Sequence, residues 1–239
     1  ANVCIYRLPK NKQIVSGRSF CPKCKKKINW YDNLPLISFI ILNSKCRNCK
    51  RVISSRYFIV ELITGISFLL IYLNFENLQT IIFLSILVLI LIMIFFIDLE
   101  NFIIPDSLNF TIMGLALLKN FLPNFGTILI HEINQSIIGG MVGYSSIWLI
   151  IFLYKTFKKI DGMGLGDAKL MAGIGLLFGW QSIPFVLFVS SILGLIFVVP
   201  SLIKKQKTMR TEIPFGPFII VACLIYFTYG EFLYSLILV

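Results

Sequence analysis

Residues 78–98 read LQTIIFLSILVLILIMIFFID. From Ile81 to Ile97 the run holds one hydroxyl, Ser85, and no charge, and it then meets a carboxylate, Asp98. About 20 apolar residues in a helix cross the roughly 30 Å hydrocarbon core of a bilayer. The stretch therefore predicts a membrane span that ends on an acid at one membrane face. The rest of the chain agrees: it is 57% hydrophobic and 14% charged, where soluble domains are about 45–50% apolar and ~25% charged.

Working outward, the same length rule predicts spans over Tyr57–Asn74, Ser107–Leu122, Ser136–Tyr154, Ile183–Ile203 and Pro214–Leu238. A shorter glycine-containing stretch, Ala168–Trp180, makes a seventh. The expected fold is thus an all-α polytopic membrane protein with about seven transmembrane helices.

Charge divides the chain. Residues 1–56 hold 13 of the 22 Lys and Arg but only one of the 11 acids, Asp32. This predicts two domains, a basic polar head over 1–56 and an apolar body over 57–239. A net charge of +11 in a membrane protein reports topology first, so a nucleic-acid partner is not expected. With the head in the cytosol, Lys155, Lys158 and Lys159 fall inside, as do Lys204, Lys205, Lys207 and Arg210. Only Lys119 falls near the outer side. Counting Ala168–Trp180 as a crossing is what keeps the cluster at 204–210 on the cytosolic side.

The head carries Cys21-Pro-Lys-Cys24 and Cys46-Arg-Asn-Cys49, two C-x2-C pairs 21 residues apart. That spacing is close to a zinc ribbon, and four thiolates suit a closed, tetrahedral, structural Zn²⁺ site. A polar segment this short builds little core, so a metal staple makes physical sense. Iron bound by four thiolates fits the spacing as well, and two disulfides are disfavoured on the cytosolic side. Cys4 and Cys223 read as small buried or interfacial residues.

Ionisable groups at membrane depth are costly and point to function. Asp98 ends one apolar run, and Asp167 closes Gly162-Met-Gly164-Leu-Gly166-Asp167. The threading puts both at the cytosolic ends of different helices, where they can meet. Two carboxylates sharing a proton can activate water and protonate a leaving group. Gly164 and Gly166 remove side chains where a substrate backbone would approach. The bland alternatives are a helix N-cap for Asp167 and for Asp106, and an ordinary interfacial acid for Asp98. Glu100 and Asp161 read as solvated acids. Glu61 lies inside a span, five positions from Arg56, which is not a helical pairing distance, so its partner is expected elsewhere. The single histidine, His131, falls in a predicted outer loop, which rules out a Ser-His-Asp triad with the cytosolic acids.

These residues together resemble the type IV prepilin peptidases, bacterial leader peptidases of the GxGD aspartic membrane proteases. The resemblance runs through Asn2-Val-Cys-Ile-Tyr-Arg7-Leu-Pro9, Ser19–Cys24, Asn33-Leu-Pro35-Leu-Ile-Ser38, Cys46–Cys49 and Ser55-Arg56-Tyr57 to Glu61-Leu62. It continues through Asp98 to Ile104-Pro105-Asp106, then Gly164-Leu165-Gly166-Asp167-Ala-Lys169, and ends at Ile213-Pro-Phe-Gly-Pro217-Phe. It implies an Asp98–Asp167 dyad that cuts the short basic leader from a prepilin or pseudopilin after a Gly at the cytosolic face. It also implies N-methylation of the new N-terminus from S-adenosylmethionine, with Arg56 and Glu61 named for that part. The family carries a further helix ahead of Asn2, so eight spans are expected with it. The expected setting is the bacterial inner membrane, with the basic head against anionic lipid headgroups. The rival readings are a peptidase without methylation, a proton-coupled transporter lined by Asp98, Glu61 and Asp167, and a zinc-stapled scaffold.

Overall fold

The computed structural model describes residues 1–13, 19–21, 23–121, 132–159, 163–203 and 213–237. His131, Asp161 and the basic residues at 204–210 lie outside the described residues. The described chain is helical, with two isolated antiparallel bridges, Phe20 with Lys27 and Lys45 with Val52. The helices are α1 (Asn2–Arg7), α2 (Ile37–Ile41), α3 (Ser55–Asn74), α4 (Leu78–Asn101), α5 (Asp106–Leu118), α6 (Ile133–Lys158), α7 (Leu165–Phe178), α8 (Ser182–Ile203) and α9 (Gly216–Ile237).

Four of them are long and apolar enough to cross a membrane: α3, α4, Ile133–Phe157 of α6 and Ser182–Val199 of α8. The chain is a multi-pass α-helical membrane protein. The helix α9 has 22 residues and is apolar over Gly216–Gly230. The other two expected spans form shorter helices, α5 and α7, of 13 and 14 residues. At 1.5 Å per residue each is about 20 Å long, short of the hydrocarbon core.

The chain divides into two compact units, Ala1–Met93 and Ile94–Val239, and the boundary falls inside α4. In the first unit, α1 packs against α3. The Ser54 hydroxyl caps α3 by accepting from the Arg56 N–H, as N-cap serines do. Little of α3 is buried within the protein, which suits a helix that faces lipid.

The second unit is built around α7, which packs against α5, α6, α8 and α9. Asp167, Ala168, Leu170–Gly175, Leu177 and Phe178 are all buried, so α7 is covered on every side. A helix apolar all round is a core helix. Its contact with α6 is backbone on backbone. A Cβ on Gly175 would come within 2.0 Å of the Gly139 carbonyl oxygen, and one on Gly143 within 2.4 Å of the Met171 carbonyl oxygen. Small residues let membrane helices approach this closely. The C-terminus of α7 stops at Gly179, which takes φ 80. There Lys119, 3% exposed, donates to the Leu177 carbonyl. A cation on the unpaired carbonyls of a helix end is favourable. This is why Lys119 stands apart from the Lys/Arg pattern of the sequence: it serves a helix end.

Gly175→Ala is expected to lower stability by at least the ~1–3 kcal/mol of an overpacked core. Gly65→Ala, with nothing within 4 Å of its Cβ, is expected to gain roughly 0.5–1 kcal/mol of helix propensity. Thermal unfolding of the two variants in one detergent compares them, with Tm moving in opposite directions.

Candidate active site and cysteine cluster

In the second unit, the last turns of α4 hold Asp98 and the first turn of α7 holds Asp167; they are 4% and 8% exposed. The two carboxylates are near enough for their charges to interact. Asp98 Oδ2 accepts the Gly216 N–H at 3.0 Å, so the first residue of α9 donates to it. A Cβ on Gly216 would lie 2.8 Å from that same oxygen, and only glycine admits the contact. Asp167 Oδ1 is buried and has no hydrogen-bond partner among the described residues.

Neither expected acid cap forms. The α7 N-cap is Gly164, and Asp167 is the third helical residue. The α5 N-cap is Pro105, and Asp106 instead receives Lys169 Nζ at 2.6 Å. Proline there presets the helix start. Asn109, fully buried, donates its Nδ2 to the Gly166 carbonyl at 3.2 Å. The first turn of α5 thus grips α7 on both sides of Asp167. Ile104 packs where a side chain on either Gly166 or Gly216 would stand, at 3.1 and 3.0 Å. The space beside Gly166, expected to admit a substrate, is therefore taken by Ile104. Gly164 has only Gly166 N and Asp167 Oδ2 near it, at 3.8 and 3.9 Å. Glu100 is exposed. Cys223 is buried and Cys4 half-buried.

In the first unit, Cys21, Cys24, Cys46 and Cys49 come together with all four Sγ atoms within 4.8 Å of one another. The Cys21–Cys49 separation is 3.9 Å, and the thiols are free. A tetrahedral zinc with Zn–S bonds of about 2.3 Å needs S···S edges of about 3.8 Å, so the cluster could bind zinc. The two cysteine pairs are conformational copies. Cys21 N–H donates to Lys26 O and Lys25 N–H to Cys21 O; Cys46 N–H donates to Arg51 O and Lys50 N–H to Cys46 O. Ile28 N–H to Ser19 O and Ile53 N–H to Ser44 O complete the match. Lys25 and Lys50 both take left-handed φ, 57 and 55, which points the following chain back and aims both thiols of each pair inward. Burial works against the Cys21 thiolate, but N–H groups of Cys24 and Lys23 and neighbouring thiols bring the thiol down to about 7. The Arg51 N–H favours the Cys49 thiolate, yet burial and the other three thiols outweigh it and push the thiol up to about 11. Four crowded thiols resist ionising together; a cation among them removes the conflict.

Glu61 does not pair along its helix with Arg56. Its Oε2 accepts the Leu36 N–H at 2.9 Å, and its Oε1 accepts Asn2 Nδ2 at 3.4 Å. The Arg56 guanidinium lies 4.8 Å from the Tyr57 ring centre. Asp32 receives Arg47 Nε and Nη2, and it raises the Arg47 pKa by that hydrogen bond.

Three residues carry the site without having stood out as site residues in the sequence. Gly216 sat in a recognised motif with no role attached. Asn109 is an amide in an apolar stretch, a legible signal of a buried hydrogen bond. Ile104 gave none.

Comparison with known proteins shows the family. The pattern of the Bacterial Peptidase A24 N-terminal domain matches residues 1–75, and that of the Type IV leader peptidase family matches residues 85–199. The chain is 33% identical over 214 residues to the prepilin leader peptidase/N-methyltransferase of Aeromonas salmonicida (strain A449), covering 90% of this chain and 72% of that one. It is 36% identical over 236 residues to the protein of the same name from Vibrio cholerae serotype O1, covering 95% and 90%. With that of Pseudomonas aeruginosa it shares 33% over 218 residues, covering 91% and 73%. No solved structure matches the chain.

Asn109→Leu leaves the Gly166 carbonyl buried without its donor and is expected to cost about 1–3 kcal/mol. Lys169→Met breaks a pair whose carboxylate side is 58% exposed and is expected to cost under about 1 kcal/mol. Unfolding midpoints of both variants in detergent check the order.

Proposed function

The chain belongs to the type IV leader peptidase family, and from that premise we propose that it is a prepilin leader peptidase and N-methyltransferase. It cuts the short basic leader from a type IV prepilin or pseudopilin after a Gly, at the cytosolic face of the bacterial inner membrane. The observation that carries the peptidase reading is that Asp98 and Asp167, both buried at the ends of two helices, lie within range of each other's charge, with Ile104 packed against Gly166 and Gly216 beside them.

We assign the chemistry to this pair. One carboxylate takes a proton from water as the water oxygen bonds to the scissile carbonyl carbon. The other gives its proton to the carbonyl oxygen, which leaves a gem-diol; as the C–N bond breaks, the first returns its proton to the leaving amine and the second takes one back from a gem-diol hydroxyl. Such paired carboxylates work by sharing one proton. Gly216 holds Asp98 by its N–H. The unpartnered Asp167 Oδ1 is free to face water or a substrate N–H. We assign substrate approach to Gly164, whose α-carbon has no side chain from elsewhere against it, and close packing to Gly166. A site at the membrane edge receives the leader from water while the apolar pilin segment stays in lipid.

We assign residues 1–56 to a cytosolic zinc domain and 57–239 to the transmembrane peptidase domain. Cys21, Cys24, Cys46 and Cys49 would hold Zn²⁺ in a closed structural site, since four thiolates leave no open position. S-adenosylmethionine supplies the methyl group in this family. We assign that step to the first unit, with Arg56 as its cation and Glu61 as the carboxylate that holds Asn2 and Leu36 beside it. The basic residues of the head face anionic lipid headgroups, each worth about 1 kcal/mol near the surface.

Asp98→Asn and Asp167→Asn are each expected to abolish cleavage of a membrane-embedded prepilin while keeping fold and metal. Mass spectrometry of the wild-type product is expected to find a methyl group on the new N-terminus. Normal cleavage by either variant refutes the dyad; an unmethylated product leaves a peptidase alone. Cys46→Ser is expected to release zinc, read by elemental analysis of the purified chain, and to lower Tm.

A further inference from the structure

Within the first unit, the chain between the two cysteine pairs is not a loop standing off in water. Residues Trp30–Asn33 form a 3-10 turn that packs on α2. Between them Leu36 takes φ 60 and reverses the chain. Two contacts then fasten the segment to α3. The Leu36 N–H donates to Glu61 Oε2 at 2.9 Å, and the Phe39 ring sits 5.2 Å from that of Phe58.

Those two contacts set a depth. The 20 residues of α3 extend about 30 Å, which matches the hydrocarbon core. Counted from the start of α3, Phe58 lies about 5 Å and Glu61 about 9 Å along it. A segment fastened to both lies at the level where interfacial helices bury their apolar face, about 5–10 Å into the boundary.

The chemistry of α2 fits that level. Phe39 faces α3, and on the other side Ile37, Ile40 and Ile41 recur at helical spacing, 56%, 64% and 68% exposed. Trp30, on the packed 3-10 turn, is 75% exposed. Tryptophan is enriched where bilayer meets water. Three polar side chains of the segment already have partners: Ser38 Oγ donates to the Leu34 carbonyl, the Tyr31 hydroxyl accepts Asn29 Nδ2, and Asp32 accepts Arg47. Glu61 serves the backbone N–H at the reversal, as lipid requires. Lys26, Lys27, Lys45, Arg47, Lys50 and Arg51 flank the segment, in the arrangement that meets anionic headgroups.

We propose that Trp30–Ile41 is a membrane-interfacial segment, with Trp30, Ile37, Ile40 and Ile41 set into the headgroup–acyl boundary of the bilayer that α3 crosses. Its partner is anionic phospholipid, and it holds the cysteine cluster down on the membrane surface. The surface stands apart from the proposed cleavage, shares only its Glu61 anchor with the proposed methyl transfer, and otherwise needs only that α3 spans.

The test uses the full chain carrying Trp148→Phe and Trp180→Phe, which leaves Trp30 as the sole tryptophan. It is reconstituted in vesicles of phosphatidylethanolamine and phosphatidylglycerol, some with acyl chains brominated near the glycerol end. Strong quenching by bromine and weak quenching by aqueous iodide are expected. Iodide quenching equal to that of free indole overturns the proposal, and so does a Trp30 that neither quencher reaches, which means protein covers it. Exchanging phosphatidylglycerol for phosphatidylcholine is expected to raise quenching by neutral aqueous acrylamide, which the surface charge does not repel; unchanged quenching removes the anionic headgroup as partner. Should the double variant not fold, the unsubstituted chain is labelled with a phospholipid bearing a diazirine on its acyl chain. Adducts on the Trp30–Ile41 peptide are then expected, and adducts confined to the long helices overturn the idea. Prepilin cleavage in the same vesicles is read separately, so loss of lipid contact and loss of the proposed reaction are told apart.

Discussion

A side chain on Gly175 would collide with the backbone of Gly139, and the architecture of the second unit follows from that contact. With α6 pressed against it there, and α5, α8 and α9 packed on it as well, α7 has no exposed face along most of its length. Lipid offers no hydrophobic drive between helices, so close van der Waals packing must supply the cohesion. Glycines at the contact let backbones approach and maximise that packing. The helix is then fixed in both rotation and height, and Asp167 in its first turn inherits the fixed position. Lys119 at the other end of α7 supports the same height by satisfying a last-turn carbonyl.

Position alone would not make a site; orientation comes from α5. Asn109 holds the peptide before Asp167, and Asp106 holds Lys169 just after it. The chain leading into α5 supplies Ile104, which fills the space that the absent side chains of Gly166 and Gly216 leave. One short stretch, Ile104–Asn109, thus braces both the residue preceding Asp167 and the residue that donates to Asp98. The buried amide is the firmer of the two polar contacts, since the ion pair is partly in contact with solvent and such pairs contribute little.

Composition and the apolar runs made the helical membrane fold legible, because span length is set by the bilayer and not by tertiary detail. The cysteine cluster was legible for a similar reason: metal geometry dictates ligand spacing. Helix ends were less so. Asp106 and Asp167 both have the chemistry of N-caps, yet each lies inside its helix, and Asp106 engages Lys169 of another helix instead. Capping is a local preference that tertiary contacts override. Glu61 was legible as a carboxylate needing a partner, but not which one, because Leu36 offers a backbone N–H that no sequence pattern marks. Gly166 shows the same limit: a missing side chain reads as open space, and only packing reveals Ile104 in it.

The two buried aspartates differ in what surrounds them. Asp98 has a committed donor, the N–H that opens α9, and a side chain at that glycine would collide with the carboxylate. Asp167 has an oxygen with no partner among the described residues, although nine-tenths of buried polar groups in folded proteins find one. An unmet buried acceptor is a cost that packing could have removed by a donor or an apolar residue. Asn109 Oδ1 is a second such atom close by, although the Asn109 Nδ2 satisfies the Gly166 carbonyl. Under the proposed function, the Asp167 oxygen is the acceptor left open to water or substrate, beside an Asp98 that its own chain already holds.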